Sequence, residues 1–581
     1  MELAPTPLPA PQYVAHSTTL FRELGLSEEL ATTQDFVKFF SGDLKAIVEA
    51  HQSGEKVQNE SSNNFRKLHT TGWASGYALS IMGEELYHQC PFQNGNGYGD
   101  GRAISILELK LPIISAPKMF FGTRGNHRPS QWEFQLKGGG RTPYCRGADG
   151  RAVLRSSVRE FIVSEAMASL GVPTTRALSL IVSKSQKIAR PWYSEGSRSE
   201  EPDVMLENAA AITTRVSSSF LRVGQIELFG RRARKNEHPN AMKELKDIVS
   251  FAIQNEYLEI DLAEGMALDA LNFNEKILMF VESFGKRLAK LVGHWIRVGF
   301  CQGNFNSDNC SIGGFTLDYG PFGLMEKFDQ NYQPWTGGGL HYSFLQQPNA
   351  AVQNFKMLCV AVRPLLADGS DGEKKSLEQL EKLLQDFPNV MKAAVQHTFS
   401  LKMGLKKFSP HLYESLMKTM NSTPDISVDW TIFWRKLSNI PKEGVELRDA
   451  FYDNTTGEKN VNSNAAFKFA AEEWTKWLVQ WHDVLKKENL DSSSSANIDL
   501  ETVSGKMKGV NPKYIPREWM LIKAYRDASD LSDFKEIHTL QQLFDNDPYA
   551  EQTPEMEAKY YKKVDQNLCN LGGYSKMSCS S

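Results

Sequence analysis

The stretch that decides the fold runs Gln302-Gly-Asn-Phe-Asn-Ser-Asp308-Asn309-Cys-Ser-Ile-Gly-Gly-Phe-Thr-Leu-Asp318-Tyr-Gly320. It follows a strongly helical run, and an apolar, strand-like stretch separates the pair Asp308-Asn309 from Asp318. Carboxylate and amide oxygens suit Mg²⁺, and phosphoryl or nucleotidyl transfer needs a divalent cation to neutralise the polyphosphate. The spacing therefore indicates a metal-assisted nucleotide site, with Asn309 and Asp318 as its candidate ligands.

Protein kinases place a metal-binding Asn on the catalytic loop and a metal-binding Asp before Phe-Gly, in this order. The kinase base lies five residues before that Asn, and this position is Asn304 here, which cannot accept a proton. Asp308 is a carboxylate that could act as the base from another direction. Taken singly, each short motif also fits a polar turn and a strand end. The interpretation therefore depends on matching parts elsewhere in the chain.

A strand and a helix upstream are in the right order to complete such a site. Residues 131–137 alternate apolar and polar side chains, which predicts a strand, and the glycines at 138–140 end it. Ser156 and Ser157 are candidate N-caps of a helix that Gly171 stops. Because the predicted strand precedes the predicted helix, the order matches the lysine-bearing strand and glutamate-bearing helix of kinases.

Four charged side chains are candidates for the nucleotide pocket. Lys137 could pair with Glu160 on the predicted helix, as the strand lysine of kinases pairs with its helix glutamate. Arg215 and Arg222 are seven residues apart, which places them on one side of a helix or brings them together by a turn, as a clamp for a terminal phosphate. The alternative for all four is a set of solvated surface charges.

Two glycine-rich turns are further candidates. Their backbone amides could hold phosphate or adenine edges, although each turn alone is also explained by chain reversal. The turns are Gly99-Asp100-Gly101-Arg102 and Asp149-Gly150-Arg151.

Composition excludes several classes of protein. A chain of 581 residues exceeds what one core normally supports, so we expect two or more packed lobes. The net charge of -3 lacks the basic excess of a nucleic-acid binder, and no apolar run is long enough to span a membrane. No presequence is visible, and we expect a mitochondrial or cytoplasmic location. The seven cysteines include Cys579 near the end, a candidate redox thiol.

The order of the longer motifs closely resembles the selenoprotein O family. The resemblance covers nearly the whole chain, including the terminal Ser-Cys-Ser-Ser. The motifs that carry it are Pro11 to Ser17, Leu136 to Arg151, Arg155 to Glu160, Gly171 to Ser179, Asn306 to Asn309, Leu317 to Gly323, Leu447 to Asp453 and Asn511 to Tyr514.

The resemblance implies a kinase-like pseudokinase lineage that binds ATP in a flipped orientation and transfers AMP to Ser, Thr or Tyr of proteins. It implies Asp308 as proton acceptor, Asn309 and Asp318 as magnesium ligands, and Lys137 with Glu160 as the ion pair. Cys579 matches the family's selenocysteine or cysteine. The implied nucleotide contacts are Gly99, Gly101, Arg102, Lys137, Asp149, Gly150, Arg215, Arg222 and Asp318.

Three departures from the family pattern stand out. Residues 90–98 replace the usual Ala-Gly-His-Gln-Phe-Gly segment, and Gln302 stands where the family usually has His. Residues 333–338 replace a Cys-containing stretch that follows the metal site. If that cysteine forms a disulfide with the tail in some members, this chain lacks the residue needed to form the same disulfide.

These observations predict an α+β, bilobal protein-kinase-like fold with an N-terminal extension and helical C-terminal additions. The expected units are residues 1–98, 99–225, 226–485 and 486–581. The expected function is a protein adenylyltransferase that uses ATP with Mg²⁺, or Mn²⁺, and modifies protein hydroxyls, including its own, without nucleic acid or a membrane span. The alternatives are an ordinary kinase, a transferase of another nucleotide such as UTP, and a nucleotide-binding pseudokinase scaffold.

Overall fold

The computed structural model of this chain describes residues 1–54, 69–77, 80–81, 84–85, 98–110, 131–257, 271–367, 369, 372–422, 425–453, 462–489, 499–574 and 576–577. Cys90, Cys579 and most of the altered stretch 90–98 lie outside these residues, so the expectations attached to them stay predictions.

The strands precede most of the helices. Their bounds are β1 Glu2–Leu3, β2 Pro11–His16, β3 Gly72–Trp73, β4 Gly76–Tyr77, β5 Ser80–Ile81, β6 Glu84–Glu85, β7 Tyr98–Gly99, β8 Ala103–Leu109, β9 Trp132–Lys137, β10 Ala152–Val153, β11 Arg176–Trp192, β12 Val204–Ser217, β13 Phe300–Cys301, β14 Gly323–Leu324, β15 Ile426–Val428 and β16 Phe451–Asp453. In the described part of the chain, an antiparallel sheet has the order β1-β3-β8-β9-β12-β11-β2, and β10 pairs with β12. The pairs β4-β7, β5-β6, β13-β14 and β15-β16 lie outside this sheet.

Helices dominate after about residue 240, as the sequence predicts. Their bounds are α1 Thr18–Leu24, α2 Gln34–Phe40, α3 Leu44–Gly54, α4 Leu154–Ser169, α5 Val223–Lys235, α6 Ala241–Glu256, α7 Phe273–Val298, α8 Gln347–Leu366, α9 Glu373–Lys402, α10 Pro410–Met420, α11 Trp430–Leu437, α12 Asn462–Asn489, α13 Leu500–Lys508, α14 Glu518–Asp530, α15 Lys535–Asp545 and α16 Pro554–Tyr560. The chain is thus a mixed α/β protein. None of the helices in the described ranges is long and apolar enough to cross a membrane.

The predicted strand at residues 131–137 is confirmed as β9, and the helix that follows it is confirmed as α4, which stops before Gly171. The predicted caps Ser156 and Ser157 are wrong, because α4 already begins at Leu154 and both serines are buried inside it. The reason is that β10 is hydrogen-bonded to β12 and leads straight into the helix, so tertiary pairing fixes the start without a side-chain cap.

The two faces of the sheet pack against different elements. Along β12, Ala210 and Ile212 point into one buried cluster and Ala211 points into the other, as a period of two requires. The first cluster contains Phe21 and Phe36 of the N-terminal helices, and the second contains α4 and the long helices. Helix α4 is therefore clamped between the sheet and the helical part, which fixes the direction of its side chains.

A long hairpin of β11 and β12 leads to the arginine pair. Arg215 lies on β12 opposite Ala177, and Arg222 lies directly before α5. The prediction that the two arginines share one side of a helix is therefore wrong, because Arg215 lies on a strand and six residues of strand end and loop separate it from Arg222, the N-cap of α5. The alternative, in which a turn brings them towards one place, agrees with the effect of both arginines on Asp318, since each lowers the pKa of that carboxylate.

Candidate active site

Lys137 and Glu160 form a buried ion pair. Lys137 is the last residue of β9, and Glu160 lies in the second turn of α4. The Lys137 Nζ atom is 2.8 Å from Oε2 of Glu160, and both side chains are under a tenth exposed. Burying two charges costs desolvation energy, which only close geometry and further partners offset. The further partner of Lys137 is Asp318, in the stretch 302–320.

The carboxylate of Asp318 binds two cations through one oxygen. Its Oδ1 lies 2.9 Å from Nζ of Lys137 and 2.5 Å from Nη1 of Arg215. Burial alone would raise the pKa of Asp318, but Lys137 and Arg215 outweigh burial and hold that pKa well below its usual range. Asp318 is therefore ionised near neutral pH. Its side chain is 24% exposed, so a ligand can still reach it.

Arg215 is held by the sheet as well as by Asp318. Its Nη2 donates to Oε1 of Gln135 on the neighbouring strand β9, and its guanidinium lies 5.0 Å from the ring of Phe220. It is also 3.5 Å from Glu160. Lys137, Glu160, Arg215 and Asp318 thus form one network.

Arg222 is positioned by two residues that the sequence analysis did not assign to the site. Its Nη1 lies 3.0 Å from Oδ1 of Asp100, and its guanidinium lies 4.3 Å from the ring of Tyr77. Burial lowers the pKa of Arg222, but Tyr77, Asp100 and Asp318 raise it above its ordinary value. Asp100 stood inside a quoted glycine-rich motif, so its signal was present. Tyr77 had none, because its two-residue strand reaches the site only by pairing with β7.

Asp308 lies in the one-turn helix Ser307–Asn309, half-buried beside this network. Burial raises the pKa of Asp308 to about 6, although Arg222 lowers it in part. Its Oδ1 is buried and has no hydrogen-bond partner among the described residues. A carboxylate with a pKa close to neutral and an unused oxygen is suited to accept a proton.

Asn309 presents its amide oxygen because its nitrogen is already used. Nδ2 donates to the backbone oxygen of Asn304 at 3.0 Å, which fixes the orientation of the side chain. The same loop is tied to Asp318, since Nε2 of Gln302 donates to the backbone oxygen of Asp318 at 3.0 Å. Gln302, at the position where the family usually has His, therefore joins the two halves of the opening motif.

Several buried polar atoms at the site lack a partner within the described residues. They are the acceptors Asp308 Oδ1 and Asn304 Oδ1 and the donors Arg215 Nε and Arg222 Nε. Buried polar atoms are normally hydrogen-bonded, so several unpaired atoms at one site indicate a ligand. Unused N–H donors on arginine fit phosphate oxygens, and the oxygens of Asn309 and Asp318 fit a hard divalent cation.

The first glycine-rich turn lies next to Arg222. Gly99 pairs with Gly76, and a Cβ at Gly99 would lie 2.3 Å from the ring of Tyr144, so no larger residue fits there. Gly101 follows Asp100, and the backbone oxygen of Arg102 accepts from the nitrogen of Gly138 at 2.7 Å. The turn is thereby attached to the end of β9, where Lys137 lies.

The second turn is built around Gly150 and is separate from the Asp318 network. Gly150 has a φ of +70°, and a Cβ there would lie 2.0 Å from the backbone oxygen of Gly140. The carboxylate of Asp149 is bound by Arg190 at 2.5 Å and also accepts from the nitrogen of Arg151. Contacts of Asp149 with Lys137 or Asp318 are not among those of the described residues, so its nucleotide role stays a prediction.

Comparison with known proteins identifies the family. The sequence profile described as protein adenylyltransferase SelO matches residues 118–545. The chain belongs to the SelO family. The reaction of this family is nucleotidyl transfer to protein, so the chain is a transferase enzyme.

Bacterial relatives of the same family match nearly end to end. The protein nucleotidyltransferase YdiU of Azoarcus sp. (strain BH72) is 32% identical over 588 residues, 99% of this chain and 93% of that protein. YdiU of Flavobacterium johnsoniae is 32% identical over 591 residues, with the same shares of each chain. YdiU of Xanthomonas oryzae pv. oryzae is 31% identical over 583 residues.

Proposed function

We propose that this chain transfers AMP from ATP to Ser, Thr or Tyr hydroxyls of protein substrates and releases pyrophosphate, on a bilobal protein-kinase-like core. The antiparallel sheet, α4 with its Glu160, and the Lys137 pair correspond in order to the small lobe of a kinase. The long helices would form the second lobe. In this proposal residues 1–98 and 486–581 are additions to the core at 99–225 and 226–485.

The observation that carries the proposal is the cation network on Asp318. Lys137 and Arg215 meet at its Oδ1, and Arg222 lies nearby with an unused N–H. Three cations at the buried end of a cleft favour the outer phosphates of ATP there. The α-phosphorus then lies nearer the opening, where the acceptor enters. This orientation supports transfer of AMP in preference to transfer of the γ-phosphoryl group.

Asp308 is the proposed base for the acceptor hydroxyl. The hydroxyl gives its proton to Asp308 as its oxygen forms a bond to the α-phosphorus. The bond between that phosphorus and the bridging oxygen to the β-phosphate breaks, and pyrophosphate leaves with the electron pair. Asn304 holds the place of the kinase base and cannot take the proton, which agrees with an acceptor that approaches differently.

Asn309 and Asp318 would hold the divalent cation, Mg²⁺ or Mn²⁺, through one amide and one carboxylate oxygen. A bound cation would neutralise phosphate charge as pyrophosphate departs. Arg215 and Lys137 keep Asp318 ionised, so the protein ligand is ready without a proton loss. Gly99, Gly101, Arg102, Asp149 and Gly150 are the proposed contacts for the rest of the nucleotide.

The compartment stays a prediction, mitochondrial or cytoplasmic, as do the identity of the protein substrates and a redox role for Cys579. Transfer of UMP from UTP and a non-catalytic scaffold are the outcomes that a direct test must separate. The presence of Asp308, Asn309 and Asp318, the proposed base and metal ligands, favours the enzyme over the scaffold.

Two alanine variants test the proposed roles separately. Asp308→Ala should abolish transfer and leave Mg-ATP affinity within about twofold, because the base is needed only for the reaction. Asp318→Ala should remove the magnesium dependence of ATP binding, with charge-assisted contacts worth roughly 1.5–3 kcal/mol each. Titration calorimetry and a transfer assay give the two readouts.

Asp247→Ala is the matched control, since this aspartate is 60% exposed and pairs only with Lys243 on the surface of α6. Normal transfer by the Asp308 variant would place the base elsewhere. Unchanged magnesium-dependent binding by the Asp318 variant would remove its assignment as a metal ligand.

A further inference from the structure

A separate cleft, which shares no lining residue with the candidate active site, has cations at half of its eight lining positions. Its volume is about 390 Å³. We call it the basic cleft, and its walls are Ile432, Lys436, Arg448, Asp449, Phe467, Tyr561, Lys562 and Lys563. Four of these side chains are cationic and one is a carboxylate, in a chain whose net charge is -3. The cleft is therefore positive where the molecule as a whole is negative.

The single carboxylate of the basic cleft does not balance its cations. Asp449 lies 2.5 Å from Nζ of Lys436 and is largely exposed on its other side. Nζ of Lys563 donates to the backbone oxygen of Phe451, a neutral acceptor. Burial lowers the pKa of Lys563, and the nearby Arg448 lowers it further, against the carboxylates that raise it. An anion in the cleft would relieve this repulsion.

The sequence motif that contains Arg448 combines buried apolar residues with this exposed arginine. In the stretch Leu447 to Asp453 the apolar residues Leu447, Ala450 and Phe451 are buried, so packing explains them. Arg448 is exposed, and its guanidinium lies 5.4 Å from the ring of Phe467. Packing of the core does not require this arginine, so Arg448 is free to bind a ligand at the surface.

A larger cavity adjoins the basic cleft at Arg448 and Phe467. Its volume is about 740 Å³, and its lining combines apolar side chains, among them the exposed Val445, with two lysines and two glutamates: Glu443, Val445, Phe451, Lys468, Ala471, Glu472 and Lys476. The two cavities share the stacked pair Arg448 and Phe467, so a ligand can run from one to the other. The pair of cavities suits an extended segment with acidic residues at one end and apolar residues at the other.

The basic cleft is connected to the segment that leaves the nucleotide site. Phe451 is paired with Val428 in the β15-β16 ribbon, and the nitrogen of Phe328 donates to the oxygen of Val428 at 2.7 Å. Phe328 follows Asp318 by ten residues. A protein held in the basic cleft therefore contacts the β15-β16 ribbon, which is hydrogen-bonded to the segment that follows Asp318.

We propose that the basic cleft and its adjoining cavity dock an acidic segment of the protein substrate, with the anionic residues on Arg448, Lys562 and their neighbours. The proposal rests on the proposed function, because it assumes a protein acceptor. The occupant is a carboxylate-rich peptide rather than a small anion, since the cleft continues into the adjoining cavity, whose wall includes Val445, Phe451 and Ala471 and which a phosphate ion would leave empty.

Fluorescence anisotropy on the full chain tests the docking without any catalysis. The probe is a fluorescein-labelled peptide of six glutamates followed by two leucines, and its control replaces the glutamates with lysines. The double variant Arg448→Gln, Lys562→Gln should weaken binding of the acidic probe about two- to thirtyfold, because the two rim charges together contribute about 0.4–2 kcal/mol. Lys243→Gln, a substitution on the exposed face of α6, should leave it unchanged.

The proposal also predicts that the double variant binds Mg-ATP normally and raises KM for an acceptor protein carrying an acidic segment, with kcat preserved. Equal binding of both probes, or an unchanged Kd in the double variant, would overturn it. Displacement of the probe by millimolar inorganic phosphate would overturn it too, in favour of a small-anion site. The anisotropy assay does not depend on AMP transfer, so the docking proposal and the proposed function can each fail without the other.

Discussion

Lowering the pH through about 6 should progressively reduce transfer, because the proposed base titrates there. Burial raises the pKa of Asp308 to about 6, and Arg222 limits the rise. Transfer needs the ionised form, which must accept the proton of the acceptor hydroxyl. An ordinary aspartate, with a pKa of about 3.9, would keep its charge through this range. The midpoint on the acid side of the pH profile therefore measures how far burial raises the pKa of Asp308.

The magnitude follows from the pKa. About nine-tenths of Asp308 is ionised at pH 7, about half at pH 6 and about one-tenth at pH 5. The rate of the chemical step should fall about tenfold for each unit below pH 6, whereas an ordinary aspartate predicts almost no loss at pH 5. Because the folded-state pKa is raised, protonation of Asp308 favours the folded state. Its stabilising effect is full below the unfolded pKa and is lost as the pH rises through about 6. Unfolding driven by this group therefore cannot imitate the loss of activity.

The assay is single-turnover transfer from saturating Mg-ATP between pH 5 and pH 8, with Tm recorded at each pH. The variant Arg222→Gln should move the midpoint to higher pH, since Arg222 lowers the pKa of Asp308. A rate that stays level down to pH 5, or a midpoint that moves to lower pH in the Arg222 variant, refutes the assignment of Asp308 as base.

Three other substitutions probe the structure around the site. Glu160→Gln should lower kcat/KM by about 5- to 160-fold, because Lys137 loses a buried charge partner worth roughly 1–3 kcal/mol, and an unchanged kcat/KM would show that the pair is dispensable. Arg159→Lys removes the hydrogen bond from Nη2 to Oε2 of Glu518 and the one from Nη2 to the backbone oxygen of Phe322, four residues past Asp318, so the Mg²⁺ concentration for half-maximal activity should rise several-fold. Arg155→Lys, an equally buried change on α4, should lower Tm and leave that concentration unaltered, and equal effects of the two would contradict a positioning role for Arg159. Gly150→Ala should lower the free energy of unfolding by more than the roughly 1–2 kcal/mol of left-handed backbone strain, because the added Cβ would also clash with the backbone of Gly140. Gly147→Ala has open space around its Cβ and should show the strain alone. Urea unfolding measures both, and equal losses would contradict the clash.

The sequence predicts the parts of the site that local pattern determines. Alternation over 131–137 places Lys137 at a strand end, and helical spacing places Glu160 on α4, so their contact could be anticipated from order alone. The spacing of Asn309 and Asp318 likewise follows from a short connection. These features depend on neighbours in the chain, which periodicity reports well.

What the sequence could not predict depends on long-range pairing. Tyr77 reaches Arg222 only because β4 pairs with β7, and two-residue strands have no periodic pattern. Arg215 was placed on a helix in one interpretation because spacing alone does not distinguish a helix face from a strand followed by a loop. Asp149 pairs with Arg190 through the hairpin register, which residue spacing in the motif does not encode.

The most direct test of the central claim is transfer from ATP labelled at the α- or the γ-phosphorus, with Mg²⁺, to the chain itself and to an added acidic protein, followed by intact-mass measurement. The account predicts label from the α-position only, with the added mass of one AMP unit, and no such transfer by Asp308→Ala. Label retained from the γ-position would make the enzyme a kinase and would contradict the assignment of Arg215 and Arg222 to the outer phosphates. Transfer from UTP in place of ATP would contradict the nucleotide assignment alone.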